Sequence, residues 1–347
     1  MLFSFLVPVY NVEKYLDRCM ESLLCQKGAY FEIVLLDDGS TDSSGSICDR
    51  YAKEYPEIVR VIHKDNEGLL MTRRRGFQEA KGDWFICIDS DDYPAKDLLV
   101  NVVSTIEKYN PDMVMYNFNY VNDFGEKSKS RLTIKNESVY EGEEKQFIYQ
   151  RRLLSDDINN MWSKAIRKDI LDIDTDYSKS GIRNMCEDAI QVLHLFTKAQ
   201  KIVYLDIPLY YYRKGQESIT ANTSYANWTA SKICFLETEK YLDIWNIEND
   251  LRRKFYTHYL EHLSNFIRWA FAQKEDELGK SIEVIVHTIN THPAFYRCMT
   301  MYNKKFAKTS YLKFSVPIIM KYIKKEKIKS LKRYFALEKK LLNKKSA

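Results

Sequence analysis

The sequence predicts an α/β protein: a mainly parallel sheet flanked by helices, followed by a helical C-terminal region. Three observations predict it. Over the first 120 residues, apolar runs of strand length alternate with amphipathic runs of helix length, the signature of βαβ units. Each of those apolar runs ends in polar residues. From about residue 225 the apolar residues recur every three or four positions, which is helical spacing.

The first strand is LFSFLVPV (2–9), the second EIVLLDD (32–38), the third VRVIH (59–63) and the fourth WFICID (84–89). Between them the pattern predicts helices over 12–25, 42–55 and 68–80, the second opened by Ser40, Thr41 and Asp42, which are good N-cap types. In open α/β sheets ligands bind outside the carboxyl ends of the strands. The segments 8–11, 37–40 and 89–92 are therefore expected to converge on one cleft.

Beyond Lys96 come a helix and a strand, MVMYNFNY (113–120), then a polar stretch over 122–144 that reads as a connector or edge hairpin. SKAIRKDIL (163–171) and EDAIQVLHLF (187–196) read as helices, and KIVYLDIPLYYYR (201–213) as a strand. The expected division is an α/β domain over 1–215 and a helical region with a basic tail over 216–347. No internal repeat or low-complexity tract interrupts it.

A chain of 347 residues exceeds what one core usually holds, so a large domain with a smaller companion is expected. The 45% apolar share describes a folded protein, and 25 Tyr supply many ring faces with polar tips. Seven Cys with no CxxC pair signal neither a disulfide framework nor a zinc site, which suits a reducing cytosol. The N-terminal apolar run of eight residues has no basic flank or cleavage site, and no later run approaches 18 apolar residues. The expectation is a protein that is neither secreted nor membrane-spanning. Charge is uneven: residues 301–347 carry 15 Lys+Arg against 2 Asp+Glu, while the rest carries 38 against 46.

Asp89-Ser90-Asp91-Asp92 ends the fourth strand. A strand ending in Asp-x-Asp points Asp89 and Asp91 to one side, where two carboxylates repel unless a cation lies between them. Mg²⁺ takes such ligands together with substrate phosphates. Taken alone, the pattern also fits a solvated loop or a helix N-cap.

Five blocks in order, VPVYNVEKYLDRCMESLLCQ, EIVLLDDGSTDSS, NEGLLMTRRRGFQEAKGDWFICIDSDD, CEDAIQVLHLF and IPLYYYR, resemble the inverting nucleotide-sugar glycosyltransferases of family 2, which have the GT-A fold. The resemblance covers roughly residues 3 to 215. It implies that Pro8 and Tyr10 pack on the base and ribose and that Asp38 accepts a hydrogen bond from uracil. Asn66 and Arg73 would close on the base and phosphates. Asp89 and Asp91, with Asp92 as a further candidate, would contact the ribose and a Mn²⁺ or Mg²⁺ bridging the diphosphate. Such a cation stabilises the leaving charge without a proton donor. Glu187-Asp188 would supply the base that takes the acceptor's proton, with Asp188 as the choice; a solvated acidic pair at a helix start is the bland alternative. Trp162 and Lys164 match the acceptor side, Trp162 equally suiting sugar stacking or core packing. Arg213 could meet the diphosphate or simply lie on the surface.

The chain departs from the family at two places. Arg74 stands where Asn is usual, and it is expected to project to solvent. Glu67 replaces a frequent Gly. His258-Tyr-Leu-Glu261-His262 fits a zinc-peptidase spacing, but no third ligand is evident. His63 and His194 read as packing or surface residues.

The basic C-terminal tail mixes Lys with Ile, Leu, Phe and Tyr at helical spacing, which suits an anionic membrane surface or a plain solvated helix end. Nucleic acid is not an expected partner, because no recognition fold accompanies the charge. The resulting expectation is a metal-dependent inverting hexosyl- or N-acetylhexosaminyltransferase, cytoplasmic and peripheral on the inner face of the cell membrane. It would move a sugar from a nucleotide-sugar donor, a UDP-sugar in the first instance, to a lipid-linked glycan in capsule-type polysaccharide synthesis. The alternatives are a protein-bound glycan or teichoic-acid-like acceptor, or a non-catalytic assembly subunit.

Overall fold

The computed structural model describes the chain except residues 123–124, 131, 178–179, 215–224, 273–285, 288–292, 308–309, 326–329, 332 and 336–347. Two compact units divide it, Met1–Asn222 and Thr223–Ala347. Their boundary falls among residues outside the described set, as does most of the basic tail beyond residue 325.

The first unit is built on a ten-stranded mixed sheet. Its order is β3-β2-β1-β4-β9-β6-β10-β5, with β7 added to β6 and β8 to β10. β1 (Leu2–Val9), β2 (Tyr30–Asp37), β3 (Val59–His63) and β4 (Trp84–Cys87) form a parallel block. β6 (Met113–Val121) and β10 (Lys201–Arg213) form a second parallel pair. The crossovers are the helices α1 (Leu16–Leu24), α2 (Ser44–Glu54), α3 (Leu69–Glu79) and α4 (Leu98–Tyr109). Parallel strands covered by helices are apolar throughout, and Phe3, Phe5, Val7, Val9, Ile33 and Leu35 are fully buried here.

Register brings the strand ends together: Val9 lies beside Asp37, and Asp37 beside His63. The turn after β1 is fixed from the next one, since the Val12 amide donates to Ser44 Oγ at 2.9 Å and the Glu13 amide to Asp42 Oδ2 at 3.1 Å. Helix α1 consequently starts at Leu16 instead of Val12. Asp42 also takes the Ser44 amide at 2.9 Å and so caps α2 from just outside it.

One element differs in kind from the sequence expectation. Residues 163–171 are not a helix: β9 (Lys164–Arg167) runs antiparallel between β4 and β6, and a 3₁₀ turn (Lys168–Ile170) follows. Two neighbouring strand edges needed pairing, and that tertiary demand overrides a charge pattern that looks amphipathic. The polar stretch contributes two short edge strands, β7 (Lys127–Lys129) and β8 (Ser138–Glu141). Helix α5 (Lys145–Leu154) follows them and was not anticipated. The two-residue β5 (Tyr93–Pro94) and α6 (Glu187–Lys198) complete the unit.

The second unit is helical: α7 (Tyr225–Ile244), α8 (Asn249–Ala272), α9 (Pro293–Met301) and α10 (Ser310–Lys324). Glu239 of α7 pairs bidentately with Arg297 of α9, at 2.9 and 2.6 Å. Among the described residues no helix is long and apolar enough to cross a membrane. All seven cysteines are free thiols.

Candidate active site

The carboxyl ends of β1, β2 and β4 and the start of α6 carry the sequence-predicted residues. Pro8 is buried within β1, whereas Tyr10, just past its end, is half exposed at 49%. Asn11 takes a left-handed turn at φ 52°, and its Oδ1 accepts the Thr41 amide at 2.8 Å. These bonds tie the loops after β1 and β2 together.

Asp38 is buried, and its carboxylate organises the loop after β3. It accepts the amides of Glu67 and Gly68, both at 2.9 Å, and the ammonium of Lys64. Gly68 sits at φ 90°, and a Cβ there would come within 2.9 Å of both Arg183 and Asn184. Glycine is therefore required by backbone angle and by space. Asn66 is exposed and held at Oδ1 by Arg183 Nη2 at 2.7 Å, while Asn184 Oδ1 accepts the Leu69 amide at 2.8 Å. Lys64, Arg183 and Asn184 were not singled out in the sequence, and nothing in their local pattern marks them.

Arg73 is fully buried in α3. One terminal nitrogen donates to Asp89 Oδ1 at 2.8 Å; the other donates to Asp188 Oδ1 and lies 3.6 Å from Glu187 Oε1. Its side chain thus backs the carboxylates instead of facing a ligand surface. Its neighbour departs further from expectation. Arg74 is also buried, bonded to the Asp172 carbonyl at 2.8 Å and stacked over the Tyr177 ring at 4.8 Å, so it does not project to solvent.

The three carboxylates after β4 meet three environments. Asp89 holds Arg73, and its amide donates to Tyr210 Oη at 3.1 Å. Asp91 lies open to solvent and has no ion pair within 4 Å among the described residues. Crowding by protein atoms first, and the charge of Asp89 second, push its carboxyl up to about 6. Asp92 is buried, with Oδ1 accepting the Arg213 amide at 2.7 Å. Burial, then the charges of Asp91 and Asp89, hold it well above the usual carboxylate range. Arg213 donates from Nε to the Asp91 carbonyl at 3.0 Å and lies over the Tyr15 ring at 4.5 Å.

Glu187 and Asp188 open α6, after Cys186 in a left-handed conformation at φ 63°. Burial pushes Glu187 up and the charge of Asp188 adds to it; burial likewise pushes Asp188 up, with Arg73 pulling each back. Lys164 is fully buried behind them and donates to the Ile158 carbonyl at 2.8 Å and to Asn160. Burial lowers its ammonium to about 7, against the attraction of Asp188. Trp162 is 6% exposed and stacks on Tyr210 at 4.5 Å and Tyr212 at 5.4 Å, with Phe118 edge-on. Of its two readings, core packing describes its surroundings.

Chemically, a carboxylate cluster after β4 and a carboxylate pair at the start of α6 face each other across one guanidinium. The donor set also suits a divalent cation. Asp91 is an exposed carboxylate beside a second one, only partly offset by the charge of Arg213, and its raised pKa is what a cation would relieve. Among the described residues no three acidic, His or Cys side chains close around a metal, so an ion there would draw further ligands from substrate phosphates and water, as Mg²⁺ and Mn²⁺ commonly do. His258, Glu261 and His262 form no such group either.

The parallel α/β block with acidic strand ends and an acidic helix start is the GT-A fold that the sequence resemblance implied. Residues 4–172, just under half of the chain, match the family described as Glycosyl transferase family 2, so this region carries a family 2 domain. It is 31% identical over 231 residues to the uncharacterized glycosyltransferase EpsJ of Bacillus subtilis, covering 63% of each chain. It is 29% identical over 226 residues to the glycosyltransferase GlyA of Streptococcus pneumoniae, covering 62% of this chain and 31% of that one. The chain thus spans between about a third and just under two thirds of these curated relatives. The crystal structure of S. aureus TarS 1–349 superposes with a TM-score of 0.65 at 20% identity, covering 98% of this chain and 92% of that one. That protein has also been solved in complex with UDP and with UDP-GlcNAc.

Proposed function

We propose that the protein is a metal-dependent inverting glycosyltransferase that moves a sugar from a UDP-sugar to a lipid-linked glycan of a cell-surface polysaccharide, at the inner face of the cell membrane. The observation that carries this reading is the bridge Asp89–Arg73–Asp188, which sets a donor-side carboxylate within one guanidinium's width of a base. The UDP and UDP-GlcNAc complexes of TarS support the choice of donor.

Tyr10 and Asp38 would receive the nucleotide. Asp89 and Asp91 would hold a Mn²⁺ or Mg²⁺, which when bound supplies positive charge to the departing diphosphate. Asp188 has one oxygen turned to Arg73, and the other would take the proton of the acceptor hydroxyl as its oxygen bonds to the anomeric carbon. The bond from that carbon to the diphosphate breaks, and UDP leaves on the opposite face. A carboxyl raised toward neutrality by burial is a stronger base than a free aspartate. Arg73 fixes the direction in which Asp188 points.

A second acceptor class is favoured by one similarity: the poly(ribitol-phosphate) beta-N-acetylglucosaminyltransferase TarS of Staphylococcus aureus is 26% identical over 235 residues. The test is nucleoside diphosphate release across UDP-, GDP- and TDP-sugars with Mn²⁺ or EDTA, with lipid-linked glycan or poly(ribitol-phosphate) added. Cation-dependent release from one UDP-sugar, raised by the lipid-linked acceptor, is expected. Acceleration by the polymer alone would move the protein to the second class, and release unaffected by EDTA would remove the metal.

A further inference from the structure

Within the second unit, α8, α9, α10 and the residues just after α9 enclose a pocket of about 300 Å³. Its wall is apolar: Leu260 of α8, Met299 of α9, and Val316 and Met320 of α10. Lys321 and Lys324 line it too, and both are solvent-exposed. The volume falls at the lower end of the range for cavities that take small organic ligands.

The arrangement along α10 is ordered. Pro317, Lys321 and Lys324 follow one another at helical spacing on one face, so the apolar wall passes into a basic rim within a single turn. Long lysine stems cover apolar surface while the ammonium reaches water. The pocket belongs to the stretch of chain with the strongest positive excess, 15 Lys+Arg against 2 Asp+Glu over residues 301–347. A nucleic acid would match the charge but gives no use to an apolar cavity. An anionic lipid matches both.

We propose that this pocket binds one hydrocarbon chain of an anionic phospholipid, with Lys321 and Lys324 receiving the phosphate. An open pocket of this size admits part of one chain, while the lipid's second chain stays in the bilayer. The second unit would then hold the protein to the membrane through an inserted chain as well as through surface charge, and the two contributions are separable. This inference does not depend on sugar transfer and is read without turnover.

The experiment uses the full chain and soluble short-chain lipids below their micelle concentration, measured by calorimetric titration. Dihexanoyl phosphatidylglycerol is expected to bind at least tenfold more tightly than either dihexanoyl phosphatidylcholine or glycerol 3-phosphate, since only it has both chain and anionic phosphate. The double variant Lys321→Glu, Lys324→Glu, altered only on the surface, is expected to lose about tenfold for phosphatidylglycerol. Met299→Trp, at a half-buried position lining the pocket, is expected to weaken phosphatidylglycerol and leave glycerol 3-phosphate unchanged. Equal affinity for phosphatidylglycerol and glycerol 3-phosphate, or no binding of the lipid at all, would overturn the proposal. So would a Met299→Trp protein with wild-type melting that binds phosphatidylglycerol as before.

Discussion

Asp89, at the end of β4, and Asp188, at the start of α6, share the guanidinium of Arg73 inside the protein. A carboxylate expected to serve the donor and one expected to serve the acceptor are thereby held in fixed relation by a residue with no exposed surface.

Removing that residue strands three carboxylates. Arg73→Met is expected to cost about 3–5 kcal/mol, the range for leaving a buried charge without its partner. Arg73→Lys is expected to recover only part, because an ammonium cannot make two parallel contacts. Urea unfolding at pH 7 and pH 5 checks this. The loss should shrink at pH 5, where the stranded carboxylates take up protons.

Asp91 is expected to oppose stability. Its folded pKa is raised to about 6, above that of an unfolded aspartate, so folding favours the protonated form. Its contribution is therefore most favourable below the unfolded value and is lost as pH rises through about 6. Asp91→Asn should melt higher than wild type at pH 7 and equal to it near pH 3.5. Added Mn²⁺ should raise the wild type and leave the variant unmoved. A variant that melts lower at pH 7 would contradict a carboxyl raised by desolvation and by Asp89.

His63 lies between two aspartates, Nδ1 at 2.8 Å from Asp37 and Nε2 at 3.0 Å from Asp49. The bond to Asp49, then that to Asp37, raises its pKa. A raised histidine contributes fully below its unfolded value and loses its contribution as pH rises through the folded one. His63→Gln should be destabilising at pH 5.5 and close to neutral at pH 8.5 by thermal melting. Half exposure of the ring keeps the effect small.

Gly68→Ala is expected to disturb the loop from both sides. The added methyl meets Arg183 and Asn184, and φ 90° is strained for alanine. The readout is donor affinity together with stability. UDP binding should fall more than tenfold while the melting temperature falls by a few degrees, since the loop that Asp38 anchors is displaced.

The four parallel strands were legible because buried strands are long apolar runs, and their carboxyl ends because polar residues interrupt those runs. The adjacency of those ends followed from that alone. Residues 164–167 were not legible as a strand: Lys164, Arg167 and Lys168 suggest a polar helix face, and the pairing edges of β4 and β6 that decide the matter lie far off in the chain. Arg73 and Arg74 illustrate the same limit. Both are buried because their partners arrive from elsewhere, Asp188 for one and Asp172 for the other, and no local pattern announces them. The three carboxylates of 89–92 look equivalent in sequence, whereas the fold makes one a bridge to Arg73, leaves one exposed and buries the third.

In the proposed reaction Asp188 takes the acceptor's proton beside a donor site that does not need it. Asp188→Asn keeps the shape and removes the base. Titration with UDP and Mn²⁺, run beside sugar transfer from the donor identified in the panel, tests it most directly. The predicted result is UDP affinity within about threefold of wild type and transfer reduced by roughly 10² to 10⁴-fold, the range for losing a general base. Transfer at near wild-type rate by a folded Asp188→Asn protein would contradict the account.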